Sequence, residues 1–196
     1  MATGHHRFER WPNESYFSLE ARNFIDVLRR HVAIPNAVWE PHAGAGHLAR
    51  ELIESGLRVL ATDLHEYDPV QGAPYIGVGY NFLDQTSLPH GVRAIVMNPP
   101  FDKAEEHCER AISLLAQAEG GVVACLNRSE WGTGKRRAAL VHDHPAFDLK
   151  IEIVKRPIWR EKTGDPRIDQ SPRHYFAWFV WRLERGLNDP KRIAWG

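Results

Sequence analysis

The stretch Ala94-Ile95-Val96-Met97-Asn98-Pro99-Pro100-Phe101 sets a polar amide, two rigid prolines and an aromatic ring at the end of a short apolar run. The run is unbroken and partly β-branched, which suits a strand covered on both faces of a parallel sheet. Ligands of such sheets bind beyond the carboxyl ends of the strands, where Asn98 would stand. The Asn98 side chain accepts hydrogen bonds through its oxygen, and the Pro99 carbonyl, locked by Pro100, is a second acceptor at fixed geometry. Two acceptors aimed at one NH2 group turn its lone pair toward an electrophile, while Phe101 offers a face on which a flat base could stack. The plainer alternative is a strand stopped by prolines, with Asn98 capping a turn and Phe101 buried.

Further apolar runs occur at Ala37 to Trp39, Arg58 to Thr62, Gly121 to Leu126, Ile151 to Val154 and Tyr175 to Trp181. Helical patterns separate the earlier ones: Phe17, Phe24, Ile25, Leu28 and His31 share a face, as do Leu48, Leu52 and Ile53, and Cys108, Ala111, Ile112 and Leu115. This alternation predicts an α/β fold, a mostly parallel sheet with helices on both faces. The last two runs break the rhythm, because the Arg-, Gly- and Pro-rich segment between them carries no helical pattern, so they are expected as an antiparallel pair at the sheet edge. With no repeat and no second hydrophobic cluster, residues 1–196 are expected to form one domain.

A chain of 196 residues with 43% hydrophobic and 26% charged residues has the composition of an ordinary globule with a full core. No stretch is long enough for a membrane span, and the opening residues, with His5, His6 and Arg7, lack a signal-peptide core, so the expected location is the cytoplasm, with no membrane partner. Cys108 and Cys125 lack disulfide or zinc spacing and read as small buried hydrophobes. Among the 11 histidines only His142-Asp143-His144 approaches a ligand cluster, so no metal is expected. Lys plus Arg and Asp plus Glu balance at 25 each, so any nucleic-acid binding must rest on a local patch.

Upstream, Glu40-Pro41-His42-Ala43-Gly44-Ala45-Gly46-His47-Leu48-Ala49 follows the first apolar run and opens a helix. Its glycines permit a tight turn and close approach of a ligand to the backbone. The second run ends at Asp63, seventeen positions after Gly46 and followed by Leu64, a spacing that puts a carboxylate against ribose hydroxyls. Gly44 to Ala49 also satisfies the G-x-G-x-x-A dinucleotide pattern. Four residues separate the strand from the first glycine, however, and they begin with an acid. An acid there attracts a cation such as the methionine end of S-adenosylmethionine, whereas a dinucleotide loop must bring helix amides to pyrophosphate. Glu40 in a plain salt bridge, or Asp63 as a turn residue, are the alternatives.

With both motifs in hand, the chain resembles the Class I S-adenosylmethionine-dependent methyltransferases over nearly its whole length. The closer resemblance is to the amino-methyltransferases that carry an Asn/Asp-Pro-Pro-aromatic signature, among them small phage and bacterial adenine-N6 DNA methyltransferases. It implies a Rossmann-like fold with a seven-stranded, mostly parallel sheet. By that likeness Glu40, Gly44 and Gly46, with Pro41 and His42 between them, wrap the methionine part, and Asp63, next to Leu64, binds ribose. Asn81-Phe82-Leu83-Asp84 matches the element after the third strand, which makes Asp84 the candidate acceptor at the adenine edge, with Phe82 or Leu83 on the ring. Phe17 matches the aromatic entry of the N-terminal cofactor motif, and Asn98, Pro99, Pro100 and Phe101 take the catalytic role.

The implied reaction needs little beyond alignment, since the sulfonium methyl is already electrophilic. Neither cysteine follows a proline, which argues against a covalent route to cytosine carbon 5. Adenine N6 in DNA is the first expectation. RNA adenine, cytosine N4 and a protein glutamine amide share the same acceptor geometry. For nucleic acid speak Arg156, Trp159, Arg160, Arg173 and His174 in the 156–174 segment, and Trp131 with Lys135 and Arg136. Glu161, Asp165 and Asp169 dilute the first group, and a Lys-Arg-Arg run is commonly a solvated face. The rival classes are an NAD(P)-dependent oxidoreductase and a catalytically silent nucleic-acid-binding module. No added recognition domain is visible, so relaxed or single-strand preference is expected.

Overall fold

A computed structural model describes residues 21–118, 120–155 and 174–183, and the backbone of 192–195. Phe17, Arg156, Trp159, Arg160 and Arg173 lie outside the described residues. The elements run α1 (Ala21–His31), β1 (Ala37–Glu40), α2 (His47–Glu54), β2 (Arg58–Asp63), β3 (Ile76–Val78), β4 (Ala94–Met97), α3 (Ala104–Gln117), β5 (Gly121–Arg128), β6 (Phe147–Ile153), β7 (Phe176–Leu183) and β8 (Arg192–Trp195). They form one sheet in the order β3-β2-β1-β4-β5-β7-β6-β8. β7 runs antiparallel to both of its neighbours, and every other pairing is parallel.

Seven strands thus follow the expected mostly parallel plan, with β6 and β7 as the antiparallel pair, and β8 adds an eighth beside β6. β7 does not lie at the rim. It is inserted between β5 and β6, which explains why Phe176 to Trp181 are all buried: each face of an interior strand is covered. β6 begins at Phe147, earlier than the apolar run suggested. In Phe147-Asp148-Leu149-Lys150-Ile151-Glu152-Ile153 every second residue is buried, the period of a strand with one wet face.

Alternation along the central strands divides the core in two. Val96, Ala124, Leu126, Trp178 and Val180 face α1 and α2, where they meet Phe24, Ile25, Leu28 and Leu52. Ile95, Met97, Val123, Cys125, Phe179 and Trp181 face α3 and meet Ala104, Cys108, Ala111 and Leu115. Each large apolar side chain so buried contributes roughly 1.5–3 kcal/mol before entropy is counted. On α1 the expected inward His31 is exposed, and the buried positions near its end are Val27 and Val32. Ile53 on α2 is likewise 41% exposed, while Glu51 is buried and held by Arg22 and Arg50. Two indole N–H groups tie the layers: Trp178 donates to the Phe24 carbonyl and Trp181 to the Leu140 carbonyl, each at 2.9 Å.

Candidate cofactor and amine site

The strand exits of β1, β2 and β4 open into one cavity of about 420 Å³. From the glycine loop it is lined by Glu40, Pro41, His42, Ala43 and Gly44, and from the β2 exit by Asp63, Leu64, His65 and Tyr67. Tyr80, Asn81, Phe82 and Leu83 form another wall, and Asn98, Pro99, Pro100, Phe101, Asp102, Lys103 and His107 close the far end. The two motifs read from sequence, nearly sixty residues apart, therefore face one space.

The loop after β1 is set by backbone geometry. Gly44 and Gly46 have φ of 54° and 86°, in the left-handed region that other residues rarely adopt. A Cβ on Gly46 would stand 2.7 Å from the Ala73 Cβ, because the segment after β2 packs against the loop and Val70 N–H donates to the Ala45 carbonyl. The Gly44 amide donates to Asp63 Oδ2 at 2.8 Å, and the His65 amide donates to Asp63 Oδ1 at 2.9 Å. Asp63 thus braces the loop while its remaining lone pairs stay available to ligand hydroxyls.

Glu40, at the exit of β1, is 1% exposed, and its Oε2 has no hydrogen-bond partner among the described residues. Burial first, and the nearby Asp63 carboxylate second, hold its pKa well above the usual carboxylate range, against a smaller opposing effect of a backbone hydrogen bond at Ala49. A buried carboxyl with an unused oxygen is costly by itself and favourable once a cation arrives. The residues therefore fit a cationic ligand such as S-adenosylmethionine at this end: Glu40 for the charge, Asp63 for hydroxyls, and the half-exposed Leu64 and the Phe82 ring as apolar walls.

His42 and His107 form a contacting pair in the cavity lining. His42 Nε2 and His107 Nδ1 are 2.8 Å apart, so one ring donates to the other, while the buried Nδ1 of His42 has no partner among the described residues. Phe82 stacks on His107 with centroids 5.8 Å apart and meets His42 edge-on. Burial pushes His42 well below the ordinary imidazole value, helped by His107. It pushes His107 to about 4, helped by Lys103 and opposed by Asp102. Both rings are neutral at pH 7.

At the elbow, Asn98 and Pro99 line the cavity, and the Pro100 carbonyl accepts the Lys103 amide, closing the turn into α3. Phe101 also lines the cavity. Its ring packs on Phe176 at 5.7 Å and carries the Arg128 guanidinium 5.4 Å from its centroid. Arg128 was not singled out from sequence, nor were His107, Tyr80 or Asn81. The only trace of His107 in the sequence is a polar residue on the apolar stripe of α3.

The candidates Asp84, Trp131, Lys135, Arg136 and His174, among the described residues, lie outside the cavity lining. Asp84 is exposed and outside the cavity: it belongs to a 3-10 turn, Phe82–Asp84, and its Oδ2 accepts from Asn81 Nδ2 at 2.8 Å. Asn81 stands on the wall instead, with its Oδ1 capping the turn at the Leu83 amide. Trp131 is 6% exposed and packs edge-on against Phe179 at 5.0 Å beneath Arg137, so it is a core residue. Arg136 forms an ion pair with Glu105 at 3.0 Å, next to the exposed Lys135. His174 stands 3.3 Å from Glu130.

No protein-family model matches the sequence, and no curated protein matches it. Solved structures superpose on most of its length. A "putative class I S-adenosylmethionine-dependent methyltransferase" from Listeria monocytogenes aligns over 92% of this chain at a TM-score of 0.60 and 10% identity. A "putative hemolysin" from Lactococcus lactis aligns over 91% at 0.58 and 12% identity, and is itself 92% covered. The type I restriction-modification methyltransferase subunit from Streptococcus thermophilus aligns over 90% at 0.55 and 14% identity. This chain spans 65% of the Listeria protein and 45% of the Streptococcus subunit. The chain has the Rossmann-like methyltransferase fold, and at these identities the likeness extends to the fold alone.

Proposed function

We propose that the protein is an S-adenosylmethionine-dependent methyltransferase acting on an exocyclic amine, with adenine N6 of DNA as the favoured acceptor. The observation that carries this reading is a single cavity lined both by the Glu40 carboxyl, whose buried Oε2 has no hydrogen-bond partner among the described residues, and by the Asn98-Pro99-Pro100-Phe101 elbow. When bound, the cofactor supplies a methyl group already activated on a positively charged sulfur. Glu40 meets positive charge, and Asp63 accepts from hydroxyls. The Asn98 side-chain oxygen and the Pro99 carbonyl accept the two amine protons and hold the nitrogen in line. Phe101 supports the base once it has left its stack.

A dinucleotide fits poorly. Its pyrophosphate would face Glu40, Asp63 and Asp102, and the Gly44 amide it needs already donates to Asp63. Calorimetry decides this directly: S-adenosylmethionine binds and NAD(P) does not. The acceptor is tested by transfer of a labelled methyl group to DNA and RNA, followed by nucleoside analysis. N6-methyladenine in DNA is the expected product. N6-methyladenine in RNA, N4-methylcytosine or a methylated glutamine amide would move the acceptor, and no methylated base despite cofactor binding would refute a nucleic-acid substrate.

A further inference from the structure

Beside the amine elbow, Arg128 has a head group that no polar group among the described residues holds. Its backbone is fixed on both sides: the Arg128 amide donates to Asn127 Oδ1 at 2.8 Å, and the Ser129 amide donates to the Tyr175 carbonyl at 2.9 Å. Its guanidinium lies over the Phe101 ring, and its buried Nε has no hydrogen-bond partner among the described residues. The acids at this edge are engaged elsewhere, Glu130 with His174, and Glu152 with Ser129 and Lys150. The comparison with Arg136 and Arg137, which share Glu105, is direct. A planar fork with five donors, kept beside a ring of the amine elbow and paired with no acid among the described residues, is suited to an oxyanion that arrives with the substrate.

Position says which oxyanion. Met97 pairs with Cys125 across β4 and β5, so Phe101 and Arg128 leave adjacent strands a few residues beyond the same rung. An anion bound by Arg128 therefore lies at the end of the strand next to the one that leads into the Asn98 elbow. We propose that Arg128 binds a backbone phosphate flanking the target base and leaves the Phe101 face as it does so, freeing that face for the base. The inference rests on the nucleic-acid reading above and deepens it, because a glutamine amide on a protein brings no fixed negative charge to this place.

The test uses a fluorescent single-stranded oligodeoxynucleotide, titrated over a range of salt concentrations with cofactor present. The unaltered protein binds with affinity that falls as salt rises. Arg128→Gln weakens binding about tenfold at low salt and reduces the slope of log affinity against log salt by about one, with S-adenosylmethionine affinity unchanged by calorimetry. Arg128→Lys, which keeps the charge, keeps the slope. An Arg128→Gln slope equal to that of the unaltered protein, or loss of the slope in Arg128→Lys as well, would overturn the assignment. Failure of the unaltered protein to bind DNA or RNA at all would instead bring down the nucleic-acid reading, so the two failures are separable.

Discussion

In the glycine loop and at the β2 exit the buried charges are acids, Glu40 and Asp63; beside the elbow a cation, Arg128, lies over Phe101 with no polar partner among the described residues. Asp63 is satisfied by two backbone amides, whereas Glu40 and Arg128 each keep a buried polar atom unused. Buried polar atoms are costly to leave unsatisfied, so the proposed function assigns Glu40 to a ligand of positive charge and Arg128 to one of negative charge. A cationic cofactor and a polyanionic acceptor meet that description.

The largest effect is expected at the elbow. Asn98→Ala removes an acceptor that aligns the amine, and turnover in a labelled-methyl assay should fall by about 10²–10³-fold with cofactor affinity intact. A fall of less than tenfold would reduce Asn98 to a capping residue.

Glu40→Gln sharpens the other end. It should weaken S-adenosylmethionine binding about 10- to 100-fold, and weaken S-adenosylhomocysteine, which lacks the sulfonium charge, clearly less. In the unaltered protein, cofactor affinity should rise with pH through the elevated Glu40 pKa, and this dependence should vanish in the variant. The folded pKa of Glu40 is raised, so its contribution to stability is present at low pH and lost as pH rises through that value. The ligand-free variant should consequently melt higher at neutral pH. Equal affinities for the two ligands in both proteins would remove Glu40 from the charge argument.

Gly46→Ala tests whether the loop's shape, apart from its charge, carries binding. With φ at 86° and Ala73 in the way, it should cost about 2 kcal/mol of stability and weaken the cofactor, read by melting and calorimetry. The smallest effect at neutral pH belongs to the imidazole pair. Since His107 is lowered from 6.5 to about 4, stability should fall as pH drops through that window, when the unfolded chain takes up the proton first. His107→Gln should flatten this acid limb in thermal melts and leave the neutral-pH melting point little changed; an unaltered limb would locate the proton uptake elsewhere.

The parts legible in the sequence were those whose signal is local. An apolar run followed by Asn98-Pro99-Pro100, two glycines after Glu40, and a carboxylate ending the next run each announce backbone geometry within a few residues. β3 was not legible, because three residues with Gly77 at the centre carry neither alternation nor β-branched density, and the strand is only partly buried. Asp84 is the adenine-edge candidate by motif position, whereas in the structure it is exposed and bonded to the Asn81 side chain. Trp131 beside a basic run read as a surface contact, and the Phe179 ring it covers is almost fifty residues away.

Strand and helix periodicity, the strand-end elbow, the glycine loop and the balance of charge were thus determined by the sequence itself, since each depends on residues within one turn or one strand. The tertiary structure alone decided that β7 lies between β5 and β6, that His107 meets His42, that Glu40 keeps an unpartnered oxygen, and that Arg128 covers Phe101. Those are pairings between distant segments. Their energies depend on which surfaces end up buried together, and that is settled only when the sheet closes over both faces of its core.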